Sequence, residues 1–221
     1  MALSRRLNQI DRMVTKHYSH IWDCCCDHGL LGMKLLERSA ADALHFVDVV
    51  EPLMSVLEAQ LKKYAAPTDN WQVHCLDVAH LPIAQTPVKD SHLVIIAGVG
   101  GDLMIELVTK ILVNNPSRVI EFLLCPVYQQ YKLRSALIKL GLNLEAEYLL
   151  RDNKQFYEMI HVAVNNDGSE SKQLSPVGSL MWDFSQPEHR DYRLRMIEHY
   201  QRMQNNNPKA AEVVMQYQEL R

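Results

Sequence analysis

"WDCCCDHGLLG", residues 22–32, sets three consecutive cysteines behind an aspartate and follows them with an acid, a histidine and a glycine. Three chemistries compete for it: a metal site, a thiol redox site, or the end of a buried strand that holds a ligand. A zinc or redox reading wants a CxxC pair, and the chain has none. Cys26 and His28 could offer two ligands, but no second pair at ligand spacing follows, so no metal is expected. Cys75 and Cys125 stand alone in apolar, strand-like runs, and a free cysteine behaves as a small buried hydrophobe. "IWDCCC", residues 21–26, therefore reads as a buried strand, and the chemical interest moves to Asp23 and to Asp27, His28 and Gly29 at its end.

Working outward, apolar runs alternate with helix-length segments. The pattern predicts strands over residues 20–26, 44–50, 71–77, 91–97 and 118–125, and helices over 30–38, 52–65, 101–113 and 129–140. Such alternation implies an α/β fold, a mostly parallel sheet with helices on both faces. Before it, Leu3, Leu7, Ile10 and Val14 recur at helical spacing behind Ser4, which predicts an N-terminal helix with Arg5, Arg6, Arg12 and Lys16 on its outer face. After Gly141 come two more strands, joined as a hairpin around Asp152–Asn153. The polar run at 165–176 reads as a linker. Beyond it Tyr192, Met196, Tyr200 and Met203 form one helical stripe, and Asn207–Pro208 opens a second helix carrying Val214, Tyr217 and Leu220. The expected organisation is a main domain at 1–165, a linker at 166–176 and a C-terminal helical hairpin at 177–221.

The chain has 221 residues, is 48% hydrophobic and carries a net charge of -3, enough for one sizeable core and without the basic excess of a general nucleic-acid binder. Its longest apolar runs, such as "LVIIAGVGG" at residues 93–101, are too short to span a bilayer, and the N-terminus has no apolar signal core. Five cysteines, three of them adjacent, do not make a disulfide framework, so a cytoplasmic location with reduced thiols is expected.

In an open parallel sheet, ligands bind beyond the carboxyl ends of the strands, where strand order reverses. That rule selects Asp23 to Gly29, Asp48 to Glu51, Asp77–Val78, and "AGVGG" from Ala97 to Gly101. Asp48, with Glu51 in reserve, could accept both hydroxyls of a ribose. Asp77 could accept from an adenine amino group while the Val78 N–H donates to a ring nitrogen. Asp23 and Asp27 would face the cationic amino-acid end of a ligand such as S-adenosylmethionine. Gly98, Gly100 and Gly101 allow close backbone approach. Taken singly, an acid at a strand end is usually a cap and a glycine pair a turn; the functional case rests on their convergence. The dinucleotide signature GxGxxG is missing after the first strand, where only Gly29 and Gly32 occur, which weighs against a nicotinamide or flavin.

These segments resemble the TrmK family, bacterial S-adenosylmethionine-dependent tRNA adenine-N1-methyltransferases that modify adenosine 22. "LSRRL" (3–7) is similar to the family's "LSKRL", "DCCCDHGLLG" (23–32) to "DIGSDHAYLP", "AGVGG" (97–101) to "AGMGG", "FLLCP" (122–126) with "KLR" (132–134) to "LILQP…LR", and "QFYE" (155–158) to "KFYE". The likeness covers residues 3–164, and the C-terminal helices resemble the family's coiled-coil appendage. It departs at Cys25, which replaces the first-motif glycine, at Cys125, which replaces the glutamine before proline, and at Leu30, which replaces a tyrosine. The resemblance implies a Rossmann-like class I methyltransferase fold. It also implies a cofactor pocket lined by Asp23, Asp27, His28, Asp48, Asp77, Val78, Ala97 and Gly98, with Cys25, Gly29, Val99 and Gly100 beside them.

Adenine N1 carries a lone pair at neutral pH, so methyl transfer to it needs no obligatory base; Asp27 and His28 are the candidates for orienting the base or shuttling a proton. RNA phosphates would meet Arg5, Arg6, Arg12 and Lys16, or Lys132, Arg134 and Lys139, with Arg190, Arg193, Arg195 and Arg202 on the C-terminal helices. The expected partner is tRNA, with no membrane and a monomeric state favoured. Two rivals share the fold: a methyltransferase with a non-tRNA target, and a catalytically silent scaffold that works through its helices.

Overall fold

The computed structural model describes residues 3–164, 172–204 and 208–220. Ser4 opens helix α1 (Arg5–Met13) by accepting the Leu7 N–H on its hydroxyl at 3.2 Å, and Ile10 and Met13 are the side chains α1 buries. The alternating unit then runs β1 (Tyr18–Cys24), α2 (Leu30–Glu37), β2 (Ala41–Asp48), α3 (Glu51–Tyr64), β3 (Trp71–Cys75), two short 3₁₀ turns, β4 (Ser91–Ala97), α4 (Gly101–Asn114), β5 (Val119–Cys125) and α5 (Gln130–Lys139). A hairpin of β6 (Leu142–Asp152) and β7 (Gln155–Val164) completes the sheet, and α6 (Pro187–Met203) and α7 (Lys209–Glu219) pack on each other.

The sheet order is β3-β2-β1-β4-β5-β7-β6, parallel except for β7, which runs antiparallel to both of its neighbours. Order reverses between β1 and β4, so the loops leaving those two strands flank the switch point. One face buries Trp22, Val47, Val94, Ile96 and Phe122 under α4 and α5. The other buries Ile21, Phe46, Leu93 and Ile95 with α1, α2 and α3. Such two-sided burial is why these strands read as near-continuous apolar runs.

The strands expected at 20–26, 44–50 and 71–77 each end two residues early, the last closing at Cys75. The strand expected at 20–26 ends at Cys24, because Cys25 turns to a φ of 55° that a strand cannot hold. Strand β2 ends at Asp48 rather than residue 50, since Val49 and Val50 face solvent ahead of the Pro52 that starts α3. Of the expected linker, residues 165–171 lie outside the described residues, as does Asn207. From Lys172 onward the chain lies on the sheet: Lys172 pairs with Leu144, and Leu174 is buried in the core.

The C-terminal helices are joined to the sheet through charge. Arg134 on α5 is 0% exposed, and its guanidinium meets Glu147 Oε2 on β6 and Glu158 Oε2 on β7, each at 2.7 Å. Glu158 Oε1 accepts the Tyr192 hydroxyl of α6 at 2.7 Å, and Glu147 Oε1 accepts the backbone N–H groups of Ser179, Leu180 and Met181. A buried arginine is tolerated only when satisfied in this way.

Candidate functional site

A cavity of about 290 Å³ opens at the β1/β4 switch, lined by Arg6, Leu7, Asp23 to His28, Leu30, Leu31 and Ala97 to Val99. Local chemistry explains its floor. Gly32 lacks a side chain because a Cβ there would stand 2.3 Å from the Phe46 ring; α2 therefore approaches β1 closely enough for the Gly32 N–H to reach Asp23 Oδ2 at 2.8 Å. Asp23 is 4% exposed, and burial, reinforced by Asp27 and Asp48, pushes its carboxyl up to about 7 despite that hydrogen bond.

Asp48 ties the rim together: its Oδ2 accepts the Asp27 N–H at 3.3 Å and its Oδ1 the Val50 N–H at 3.1 Å. Asp77 accepts the Ala79 N–H at 2.9 Å and so opens the 3₁₀ turn that buries Val78. The Cys25 thiol reports how these acids converge. Burial first, then Asp48, Asp23, Asp27 and Asp77, push it up to about 11. Asp23, Asp27, Asp48 and Asp77 all lie near enough to raise that thiol, and none of them has a Lys or Arg partner within ion-pair distance among the described residues.

The cavity itself gathers Asp23, Cys25, Asp27, His28, Ala97, Gly98 and Val99. Asp48, Asp77 and Val78 stand on the rim beyond its lining, and Glu51 is turned to Ser55 at 2.7 Å. Gly29 and Gly100 do not line it: a Cβ on Gly29 would strike Leu57, and one on Gly100 would strike Tyr128. Gly98 holds a φ of 87°, and the nearest atoms to a side chain built there are the Arg6 guanidinium nitrogens, at 3.8 and 3.9 Å.

Arg6 corrects the expectation of a four-membered basic strip on α1. It turns inward over Gly98, stacked on Tyr157 at 5.3 Å, while Lys16 is paired with Glu121 at 3.0 Å. Arg5 and Arg12 remain exposed. The second strip is also broken, because fully buried Arg134 cannot touch an RNA phosphate and exposed Lys132 is paired with Asp102 at 2.7 Å. On α6, Arg193 donates to the Leu220 carbonyl at 2.8 Å, and Arg195 is paired with Asp191 at 3.1 Å.

Of the five cysteines, Cys24 and Cys125 are buried as read. Cys75 is exposed, because it closes the edge strand β3. A polar array that the sequence reading missed lies on the Trp22 face. His20 Nδ1 and His45 Nε2 are 3.0 Å apart, His45 Nδ1 and His74 Nε2 are 3.0 Å apart, and Asp90 takes the outer nitrogen of His20 at 3.1 Å. Trp22 donates to His92 at 3.2 Å and stacks on His45. The signal was one histidine in each of four strands.

Comparison with known proteins follows this geometry. The profile of the methyltransferase domain family matches residues 3–160. No curated protein matches the chain. Among solved structures, a Streptococcus pneumoniae protein bound to S-adenosyl-L-methionine, provisionally described as a tRNA (m1A22) methyltransferase, is similar at TM-score 0.76 and 18% identity, covering 99% of each chain. M. capricolum TrmK, bound to S-adenosyl-homocysteine, gives 0.70 at 15% identity, over 99% of this chain and 94% of that one. The B. subtilis m1A22 tRNA methyltransferase TrmK gives 0.69 at 14%, over 99% and 95%. At such identities the likeness is one of fold, and it runs over nearly the full length of the chains.

Proposed function

The chain belongs to the methyltransferase domain family, and from that premise we propose that it is an S-adenosylmethionine-dependent methyltransferase acting on N1 of an adenosine in tRNA, at position 22. The observation that carries this reading is the cavity at the β1/β4 switch, which Arg6, Asp23, Asp27 and His28 line together. That donor set fits the cofactor. A free amino-acid end carries one charge of each sign, and the cavity offers Arg6 for the carboxylate and Asp23 for the ammonium. Asp48 would offer its remaining lone pairs to ribose hydroxyls, and Asp77 with Val78 would meet the adenine edge. The relatives solved with S-adenosyl-L-methionine or S-adenosyl-homocysteine support the same assignment.

When bound, S-adenosylmethionine supplies an electrophilic methyl group on a sulfonium. The chain's task is to hold the acceptor in line with it. Adenine N1 presents its lone pair without prior deprotonation, so alignment carries most of the acceleration and can supply about 7–11 kcal/mol. Rim carboxylates favour the positive charge that passes to the base. Asp27 and His28, at the cavity's edge, orient the base or take a proton from the product. Exposed Arg5 and Arg12 are left to meet RNA phosphates.

The same proposal includes a methyl-transfer domain at 1–165, the helical hairpin at 177–221 as its appendage, a monomer, and a cytoplasmic location beside its tRNA substrate. No described helix is long and apolar enough to cross a membrane. The silent-scaffold alternative draws on Cys25, whose Cβ stands where the family has glycine. Labelled methyl transfer to bulk tRNA, with mapping of the product, tests the reading; N1-methyladenosine at position 22 is expected. Calorimetry with S-adenosylhomocysteine gives no heat if the chain is a scaffold, and methylation of small molecules alone would move the target away from tRNA.

A further inference from the structure

We infer that Tyr128, in the loop between β5 and α5, is the platform on which the target base stacks; this rests on the reading of the chain as an adenine methyltransferase. The loop backbone is fixed to the β4 loop on both sides of the residue. The Val127 N–H reaches the Val99 carbonyl at 3.0 Å, and the Gly101 N–H reaches the Tyr128 carbonyl at 3.1 Å. Gln129 adds a two-point contact to Asp102, accepting its N–H at 3.1 Å and donating to its carboxylate at 2.8 Å.

The ring that this backbone holds is 60% exposed. It lies across Gly100, where an added Cβ would come within 2.5 Å of its Cζ and hydroxyl. Val99, on the other side of Gly100, lines the cavity. One face of this phenol ring covers Gly100, next to the cavity-lining Val99, and the remainder, on a backbone fixed at these points, is open to solvent. Val127 and Leu103 extend the same apolar exposure at 39% and 44%. Enzymes that modify a base take it out of its stack and hold it against aromatic or apolar faces. The platform would accept a purine drawn out of the tRNA and bring its edge toward the cavity.

The test compares Tyr128→Ala, Tyr128→Leu and Tyr128→Phe by steady-state methylation of tRNA, with S-adenosylhomocysteine affinity measured on each. Loss of base stacking predicts that Ala and Leu lower kcat/KM for tRNA about 10- to 100-fold while cofactor affinity stays at the wild-type value. Phe, which keeps the π face, stays within about threefold of wild type. The leucine variant keeps an apolar cover over Gly100, so it separates stacking from packing. An unchanged rate in Tyr128→Ala, an equal loss in Phe, or a parallel loss of cofactor affinity overturns the inference. A wild-type protein that methylates no tRNA adenosine overturns the functional reading, and this inference with it; an active wild type with an indifferent Tyr128→Ala overturns this inference alone.

Discussion

Strands β1 to β4 carry four imidazoles on one face and, with the turn after β1, four carboxylates at their carboxyl rim. The imidazoles are satisfied by one another, by Asp90 and by Trp22. Burial first, then neighbouring imidazoles, push His45 down to about 3; burial, then His20, pushes His92 down to about 4. Asp23, Asp27, Asp48 and Asp77 are brought together with no Lys or Arg within ion-pair distance of them among the described residues, on a backbone with positive φ at both Cys25 and Asp27. Folding alone does not favour that arrangement, and a cationic ligand does. Satisfied polarity belongs to the scaffold; concentrated, uncompensated polarity belongs to the site.

Substitutions can break this contrast. His45→Ala strands His20 and His74 and opens a gap beside Trp22, and it should cost about 2–4 kcal/mol in urea unfolding while cofactor affinity of the folded protein holds. Asp23→Asn should do the reverse. The amide oxygen can still accept the Gly32 N–H, so stability holds, and S-adenosylhomocysteine affinity falls about 10- to 100-fold in calorimetry.

Changes of pH sharpen the contrast with opposite signs. Asp23 sits above its ordinary 3.8, at about 7, so the empty protein binds more protons than its unfolded chain between those values. That contribution to stability is lost as pH rises through 7, but a bound ammonium prefers the ionised form. Cofactor affinity should therefore climb roughly tenfold from pH 6 to pH 8, with proton release on binding. His45 and His92 lie below their ordinary 6.5, so the unfolded chain binds more protons there. Urea midpoints should fall as pH drops from 6.5 toward 4, and His45→Ala should flatten that fall. The smallest effect is expected from Cys25→Gly. Removing a Cβ at φ 55° relieves strain and crowding together, which should raise S-adenosylhomocysteine affinity about threefold.

Periodicity and strand-end acids made the sheet, its helices and the place of the switch-point cavity legible. Helices at 30–38, 52–65 and 101–113 are found within a residue at each end. What escaped depended on partners distant in sequence. Arg134 reads as an exposed helical charge until Glu147 and Glu158, on two other strands, are known to face it. Arg6 reads as surface until the β4 loop beneath it and Tyr157 beside it turn it inward. Cys25 reads as a continuing strand because its residue type says nothing of a positive φ. The histidine array needed the register that sets His20 against His92 and Trp22 against His45.

The Arg134 cluster has an outcome for anyone trimming the chain. Topology offers a cut before Lys172, beyond the last strand, where the tail looks detachable. Such a cut would strip the tyrosine hydroxyl from Glu158 and the residue 179–181 amides from Glu147, leaving two buried anions and an arginine half clothed. A shortened enzyme would inherit a wound in its own interior, so the helical tail is an organ of the sheet rather than a passenger on it.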